Sequence, residues 1–268
     1  MSLKQALAHW LRPTVLRAFN GATVEPEADP VYFRSASRTH VGLVRMVNED
    51  RMLDCPQHGL WAVADGMGGH FAGDMAAEAA IAALQRLTRT ESIGATDVEV
   101  ALQSVNERLR HQARNGDRLS GATIVVLLAN GNHVTILWAG DCRAYRLRNG
   151  HLEQLTRDHS VVQELLDAGA IDLDQASRHS QAHVVTRALG AGDTLRLDRI
   201  STDFETGDLY LLCSDGMPPS TASAGMLSKN IGELDSLADL LLDHALAEGG
   251  QDNISLVLVT DSHAGCLS

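Results

Sequence analysis

The chain has 268 residues, of which 44% are hydrophobic and 21% charged, and a formal net charge of −12. That length supports one large domain or two small ones with a full core, and the acidic balance argues against nucleic acid as the main partner, because a phosphate backbone calls for a basic surface. Its four cysteines, Cys55, Cys142, Cys213 and Cys266, are widely spaced with no C-x-x-C pair, which speaks against a zinc framework or a disulfide scaffold.

No apolar run approaches the ~18 residues of a spanning helix, and no unbroken apolar core of a signal peptide opens the chain. A reducing, cytoplasmic setting is therefore expected. Residues 1–30 read as a leader: Leu3, Leu7, Trp10, Leu11, Val15 and Phe19 recur at helical spacing beside Lys4, Arg12 and Arg17, with no acid before Glu25. Pro13 interrupts that helix, and Gly21 to Pro30 reads as a linker. The leader is expected to be a short helix packed on the domain or a partly disordered segment; the alternative is a docking helix or peripheral membrane association through residues 1–20. The main domain is expected over 31–262, with a tail at 263–268.

Within the domain, a strand is expected at Leu60–Ala64, running into Asp65-Gly66-Met67-Gly68-Gly69-His70. Met75–Leu87 carries an alanine-rich face at helical spacing, and a second helix covers Val98–Ala113. Ile124–Leu128, Val134–Trp138 and Ala144–Leu147 read as strands around Asn130-Gly131 and Asn149-Gly150, the strongest local hairpin signals, so a meander is expected. A helix at Val161–Ala168 leads into a polar segment, Gly169 to Ala182. Strands at Leu195–Ile200 and Leu209–Cys213, a helix at Leu234–Ala247 and a last strand at Ile254–Val259 complete an α+β pattern.

Acids recur at the ends of these strands: Asn48-Glu49-Asp50, Ala64-Asp65-Gly66, Gly140-Asp141, Ser214-Asp215-Gly216 and Asp252-Asn253. Any one of them could cap a helix or shape a turn. Strand ends of a packed sheet converge, however, and carboxylates a few ångströms apart cannot all ionise without a compensating charge. Hard cations such as Mg²⁺ and Mn²⁺ supply that charge and prefer carboxylate, carbonyl and water oxygens.

The ordered set Gly42-x-x-Arg45-x-x-Asn48-Glu49-Asp50, Asp65-Gly66-Met67-Gly68-Gly69, Gly121-Ala122-Thr123, Gly140-Asp141-Cys142-Arg143, Ser214-Asp215-Gly216 and Asp252-Asn253 resembles the metal-dependent protein phosphatase family of PP2C type in its bacterial form. The match runs from about residue 39 to 260, and Leu155–Ser160 and Thr186–Gly190 resemble segments flanking the family's flap. The resemblance implies two stacked antiparallel sheets flanked by helices, an α-β-β-α sandwich, with a flap at about 166–190. It also implies a binuclear Mn²⁺ or Mg²⁺ site and a third, weaker ion. Asp65 then corresponds to the bridging ligand, Gly66 to a carbonyl ligand, and Asp215 and Asp252 to ligands of the second ion. Glu49 and Asp50 would act through water, Asp141 and Asp215 at the third ion, and Arg45 on phosphate. The implied activity is hydrolysis of phosphoserine and phosphothreonine proteins by a metal-bridging hydroxide, in a monomer opposing a serine/threonine kinase.

Three features depart from the family pattern and two compete with it. Met67 stands where animal members carry a histidine, and His70 reads as structural. Met217-Pro218-Pro219 replaces a polar turn after Asp215, and His179-Ser180 lies in the flap where proline often follows histidine. Cys142 and Arg148 have the C-x₅-R spacing of cysteine phosphatases, but the intervening residues read as a strand rather than a phosphate loop. Likewise Gly131-Asn132-His133 suggests a calcineurin-type metal motif yet falls in a hairpin turn. A non-catalytic phosphoprotein-binding module, or a phosphatase dedicated to one regulator such as an anti-anti-sigma factor, are the remaining readings; the presence of Asp65, Asp215 and Asp252 counts against the first.

Overall fold

The computed structural model describes residues 32–68, 72–115 and 120–262. The leader, the tail and His70 lie outside the described residues. The strands are β1 (Phe33–His40), β2 (Arg51–Cys55), β3 (Leu60–Met67), β4 (Gly121–Asn130), β5 (His133–Ala139), β6 (Arg143–Arg148), β7 (His151–Gln154), β8 (Asp198–Asp203), β9 (Leu209–Cys213) and β10 (Ile254–Asp261). They form two five-stranded sheets in the orders β1-β10-β9-β6-β7 and β2-β3-β4-β5-β8, and every pairing is antiparallel.

Helices α1 (Ala72–Leu87) and α2 (Ala95–Arg114) are associated with the second sheet, α1 packing directly on β3 and β4, while α5 (Ala224–Asn230) and α6 (Leu234–Ala247) cover the first. Between them along the chain lie α3 (Val161–Asp167) and α4 (Leu173–Ser177), the second within the segment expected to form the flap. The core accordingly falls into three layers. One holds Leu84, Leu102 and Ile124 between helices and second sheet; one holds Leu211, Leu237 and Leu256 on the other side; and one holds Trp61, Val125, Ile136, Tyr210 and Val257 between the two sheets. The central strands are apolar throughout because both of their faces are covered.

The predicted sandwich is therefore present, with local differences that have physical causes. The Asn149-Gly150 hairpin forms as expected, both residues taking positive φ (51° and 76°). At the other hairpin Asn130 pairs with His133, so the turn is Gly131-Asn132, one residue later than the dipeptide suggests. The strands do not run as one meander. After β5 the chain turns at Gly140 (φ 109°) and enters the opposite sheet as β6, beside β9. Strand β8 begins at Asp198 rather than Leu195; Leu195 and Leu197 pack under the helices, and the polar edge strand pairs with β5. The edge strands β1 and β7 and the short α4 and α5 carry too little apolar pattern to be read from the sequence.

The first turn of α1 lies directly on the end of β3. A Cβ on Gly73 would stand 2.6 Å from the carbonyl carbon and 2.7 Å from the carbonyl oxygen of Gly66. Neither backbone atom can yield easily, so Gly73→Ala is expected to cost about 1–3 kcal/mol of stability, measurable as a lower urea midpoint with an unchanged slope. An unchanged midpoint would mean that this helix-to-strand contact is not tight.

Candidate metal centre

The period of two along each strand decides which acids enter the gap between the sheets. On β3, Leu60, Ala62 and Ala64 face the helices, while Trp61 and Val63 face the opposite sheet. Asp65 continues the second set, so its carboxylate points into the inter-sheet gap where the strand ends. On β9, Leu211 and Cys213 face the helices and Tyr210 and Leu212 face the gap, which puts Ser214 on the gap side and Asp215 in the turn beyond it. Because β10 runs antiparallel to β9, the start of β10, with Asp252 and Asn253 just before it, lies at the same edge. Glu49 and Asp50 precede β2, the antiparallel neighbour of β3, and Asp141 follows β5.

The structure brings the predicted acids other than Asp50 together in one cleft of about 620 Å³, lined by Arg45, Glu49, Asp65, Gly66, Asp141, Asp215 and Asp252; Asp50 does not line it but is buried beside it on the Ser214 hydroxyl. Burial, and then the carboxylates of Asp215, Asp50 and Asp141, hold the Asp65 carboxyl well above the usual range. Burial and the neighbouring Asp215 and Asp252 raise Asp50 to about 7, against the hydrogen bond from Ser214. Asp141 also rises to about 7, through burial and then Asp215. Burial and then Asp252 push Asp215 upward. These residues repel one another in a place that water reaches poorly.

Three oxygens in the group, Glu49 Oε1, Asp50 Oδ1 and Asp215 Oδ1, are buried without a hydrogen-bond partner. Buried orphaned acceptors on mutually repelling acids are what a divalent cation satisfies, so the donor set fits Mn²⁺ or Mg²⁺. Among the described residues no three acid, histidine or cysteine side chains by themselves close into a cage. An ion here would complete its shell with the Gly66 carbonyl and water, as Mg²⁺ commonly does.

The scaffold around the acids is a polar network that the sequence does not announce. The Asn253 side chain accepts from the Glu49 N–H at 2.7 Å and donates to the carbonyls of Val41 and Val47 at 2.9 and 3.0 Å, so one amide pins both ends of the loop that carries Arg45. Ser214 donates to Asp50 Oδ2 at 2.8 Å and accepts from the Ser255 N–H at 3.0 Å. Gly216 lies so near the Asn253 carbonyl that no side chain fits. Asn253 was visible only as the partner of Asp252, and Ser214 only as the residue before Asp215; their roles depend on pairing β9 with β10.

Arg45 stands in the cleft with its guanidinium on Asp252 Oδ2 at 2.6 Å. The two prolines after Asp215 do not disturb the turn: Met217 N–H bonds back to the Ser214 carbonyl at 3.3 Å, Met217 is buried, and Pro219 starts a 3-10 turn. His183, in the segment expected to form the flap, lines the cleft and works against the upward push on the Asp215 carboxyl; no motif in the sequence marks it. Residues 143–148 form β6, and Cys142 is buried with its thiol pushed well up by burial, so the C-x₅-R spacing is coincidental.

A profile of the Protein phosphatase 2C family matches residues 34–165. The chain is 37% identical over 236 residues to the serine/threonine phosphatase Stp of Listeria welshimeri, covering 83% of this chain and 93% of that one. It is 36% identical over 230 residues to the serine/threonine protein phosphatase PstP of Mycobacterium tuberculosis, covering 84% of this chain but 44% of PstP, so it spans less than half the length of that relative. Among solved structures, PppA, a key regulatory component of the T6SS in Pseudomonas aeruginosa, superposes with a TM-score of 0.78 at 41% identity, over 87% of this chain and 99% of that one. The PstP catalytic domain in complex with two manganese ions superposes with a TM-score of 0.76 at 35% identity, over 85% of this chain and 98% of that one.

A carboxyl whose pKa is raised by folding stabilises the fold while protonated, and that contribution is lost as pH rises through the folded value. The stability of chelated protein should therefore fall between pH about 4 and about 7 through Asp50 and Asp141. In EDTA at pH 7.5, Asp65→Asn is expected to melt above the parent by about 2–5 °C, with a smaller gap at pH 5. Added Mn²⁺ should raise the melting temperature of the parent and not of the variant. Thermal unfolding decides it: a variant that melts below the parent in EDTA would refute repulsion at Asp65.

Proposed function

The chain belongs to the protein phosphatase 2C family, and we propose that it removes phosphate from phosphoserine and phosphothreonine in proteins, using two divalent cations, Mn²⁺ or Mg²⁺, and a third, weaker one. The observation that carries this reading is the convergence of acids from separate strand ends, with orphaned oxygens, beside a single guanidinium in one cleft. The similarity to a PstP catalytic domain that binds two manganese ions supports it.

In this reading Asp65 would serve both ions, the Gly66 carbonyl would hold one, and Asp215 and Asp252 would hold the other. Glu49 and Asp50 would act through water, and Asp141 with Asp215 would serve the third ion. When bound, paired divalent cations lower the pKa of water and so supply a nucleophile at neutral pH. Arg45 offers a planar fork to two phosphate oxygens, which lysine cannot do. Its hold on Asp252 keeps the fork at the cleft mouth, and a phosphate would replace one anionic partner with another. Cys142 is buried with its thiol pushed well up, so it offers no nucleophile for a phosphoenzyme.

The proposal includes a cognate serine/threonine kinase that supplies the substrates. The similarity to PppA points the substrate search toward secretion-system regulation. The site is assembled within one chain, which supports a monomer. Among the described residues no helix is long and apolar enough to cross a membrane, and free Cys55, Cys142 and Cys213 fit a cytoplasmic setting.

Hydrolysis of a phosphothreonine peptide tests the reading. Turnover should need Mn²⁺, stop in EDTA, and fall by about 100-fold or more in folded Asp215→Asn and Asp65→Asn. Parental rates in either folded variant would overturn the metal assignment, and no turnover in metal-replete protein would favour a phosphoprotein-binding module. Arg45→Ala is expected to raise KM about tenfold with Mn²⁺ binding retained; an unchanged KM would remove Arg45 from phosphate recognition.

A further inference from the structure

Asp141 lies in the turn that carries the chain from β5 in one sheet to β6 in the other, and a single residue holds that turn by both of its polar backbone groups. The His159 N–H donates to the Gly140 carbonyl at 2.9 Å, and His159 Nδ1 accepts from the Gly140 N–H at 3.1 Å. The imidazole is buried and stacks on the Trp138 indole, with ring centroids 6.0 Å apart and planes 11° from parallel. Trp138 Nε1 in turn donates to the Arg157 carbonyl at 2.8 Å.

An accepting Nδ1 requires the ring proton on Nε2. Nε2 faces Asp198 Oδ2 at 3.2 Å, and the other Asp198 oxygen accepts from Arg187 at 2.7 Å. Asp198 therefore selects the tautomer that can hold Gly140. The same residue also ties in the flap: the His159 carbonyl accepts from the Thr186 N–H at 2.7 Å, and the Val161 N–H donates to the Val184 carbonyl at 2.9 Å. His183, which lines the cleft, immediately precedes that segment.

We infer that His159 is a positioning residue that acts through Asp141: its imidazole fixes the Asp141 turn against the returning flap segment and thereby sets how tightly the weakest cation is held. The inference rests on the metal reading of the cleft. Outer partners that orient a ligand typically change metal affinity by 10–100-fold when lost, and here the partner orients the ligand's backbone. The tight pair of ions, held through Asp65, Asp215 and Asp252, is out of reach of this clamp.

The discriminating variants exploit which ring nitrogen does the work. Asn carries an acceptor at the position of Nδ1, whereas Gln carries its amide at the position of Nε2. Mn²⁺ binding to the full chain, followed by electron paramagnetic resonance of the free ion, should show the weakest site within about threefold of the parent in His159→Asn. It should be weaker by about tenfold in His159→Gln, approaching Asp141→Asn, with the tighter sites unchanged in both. Equal losses in the Asn and Gln variants, or parental binding by His159→Gln while Asp141→Asn loses the weak site, would overturn the inference. Asp198→Ala, at the surface, keeps the test open if neither His159 variant unfolds cooperatively. It frees the tautomer and should weaken the weakest site beyond the threefold allowed to His159→Asn, toward the about tenfold of His159→Gln, and an unchanged site would overturn the inference. Parental Mn²⁺ binding by Asp65→Asn would remove the metal reading itself, and this inference with it.

Discussion

Mutual repulsion among buried carboxylates is the constraint around which this molecule is built. Asp50, Asp65, Asp141 and Asp215 share one end of the gap between two sheets, and each is driven toward its protonated form first by desolvation and then by its neighbours. Such an arrangement is costly for a fold that has only its own side chains to offer. Divalent cations reverse the sign of the cost, and the orphaned oxygens on Glu49, Asp50 and Asp215 mark where that charge is wanted. What makes the site unfavourable as protein is what makes it strong as a metal centre.

Holding those acids apart from one another yet aimed at one place takes rigid, closely packed backbone. The contact of Gly73 on Gly66 and the approach of Gly216 to Asn253 bring main chains together where a single Cβ would collide. Asn253 then spans the Arg45 loop and Glu49, and Ser214 ties Asp50 to the β9–β10 pair. Precision in the cleft is thus supplied by small residues and neutral hydrogen bonds, which add no charge of their own to a crowded site. Arg45 is the exception. It sits on a loop whose neighbours Leu43, Val44 and Met46 face solvent, so the guanidinium proposed to hold phosphate stands on an exposed loop.

The flap side has a different logic. The returning segment at 184–186 is bonded to residues 159–161, and His159 carries the connection onward to Gly140 and Asp198. The chain crosses from one sheet to the other at that turn, so the backbone of His159 meets the 184–186 segment while its ring holds the Gly140 turn beside Asp141. Trp138, stacked on that ring, belongs to the inter-sheet layer and makes the joint stiff.

Much of this was legible in the sequence because its causes are local. Continuous apolar runs such as Leu60–Ala64 and Leu209–Cys213 read as strands buried on both faces, Asn149-Gly150 read as a hairpin, and the acids stood out as single residues at the ends of those runs. The placement of Asp65 inside the gap follows from the period of two counted from Trp61. The edge strands β1 and β7 were illegible, since β1 (Phe33–His40) buries little and carries serine, threonine and arginine where apolar residues would have signalled a strand. Only the tertiary structure could decide that β6 leaves β5 for the other sheet, that Asn253 and Ser214 brace the acids while His159 holds the Gly140 turn, and that His183 faces the cleft. Those outcomes depend on which strands pair and which loops meet across long stretches of chain, and local pattern carries no record of such long-range geometry.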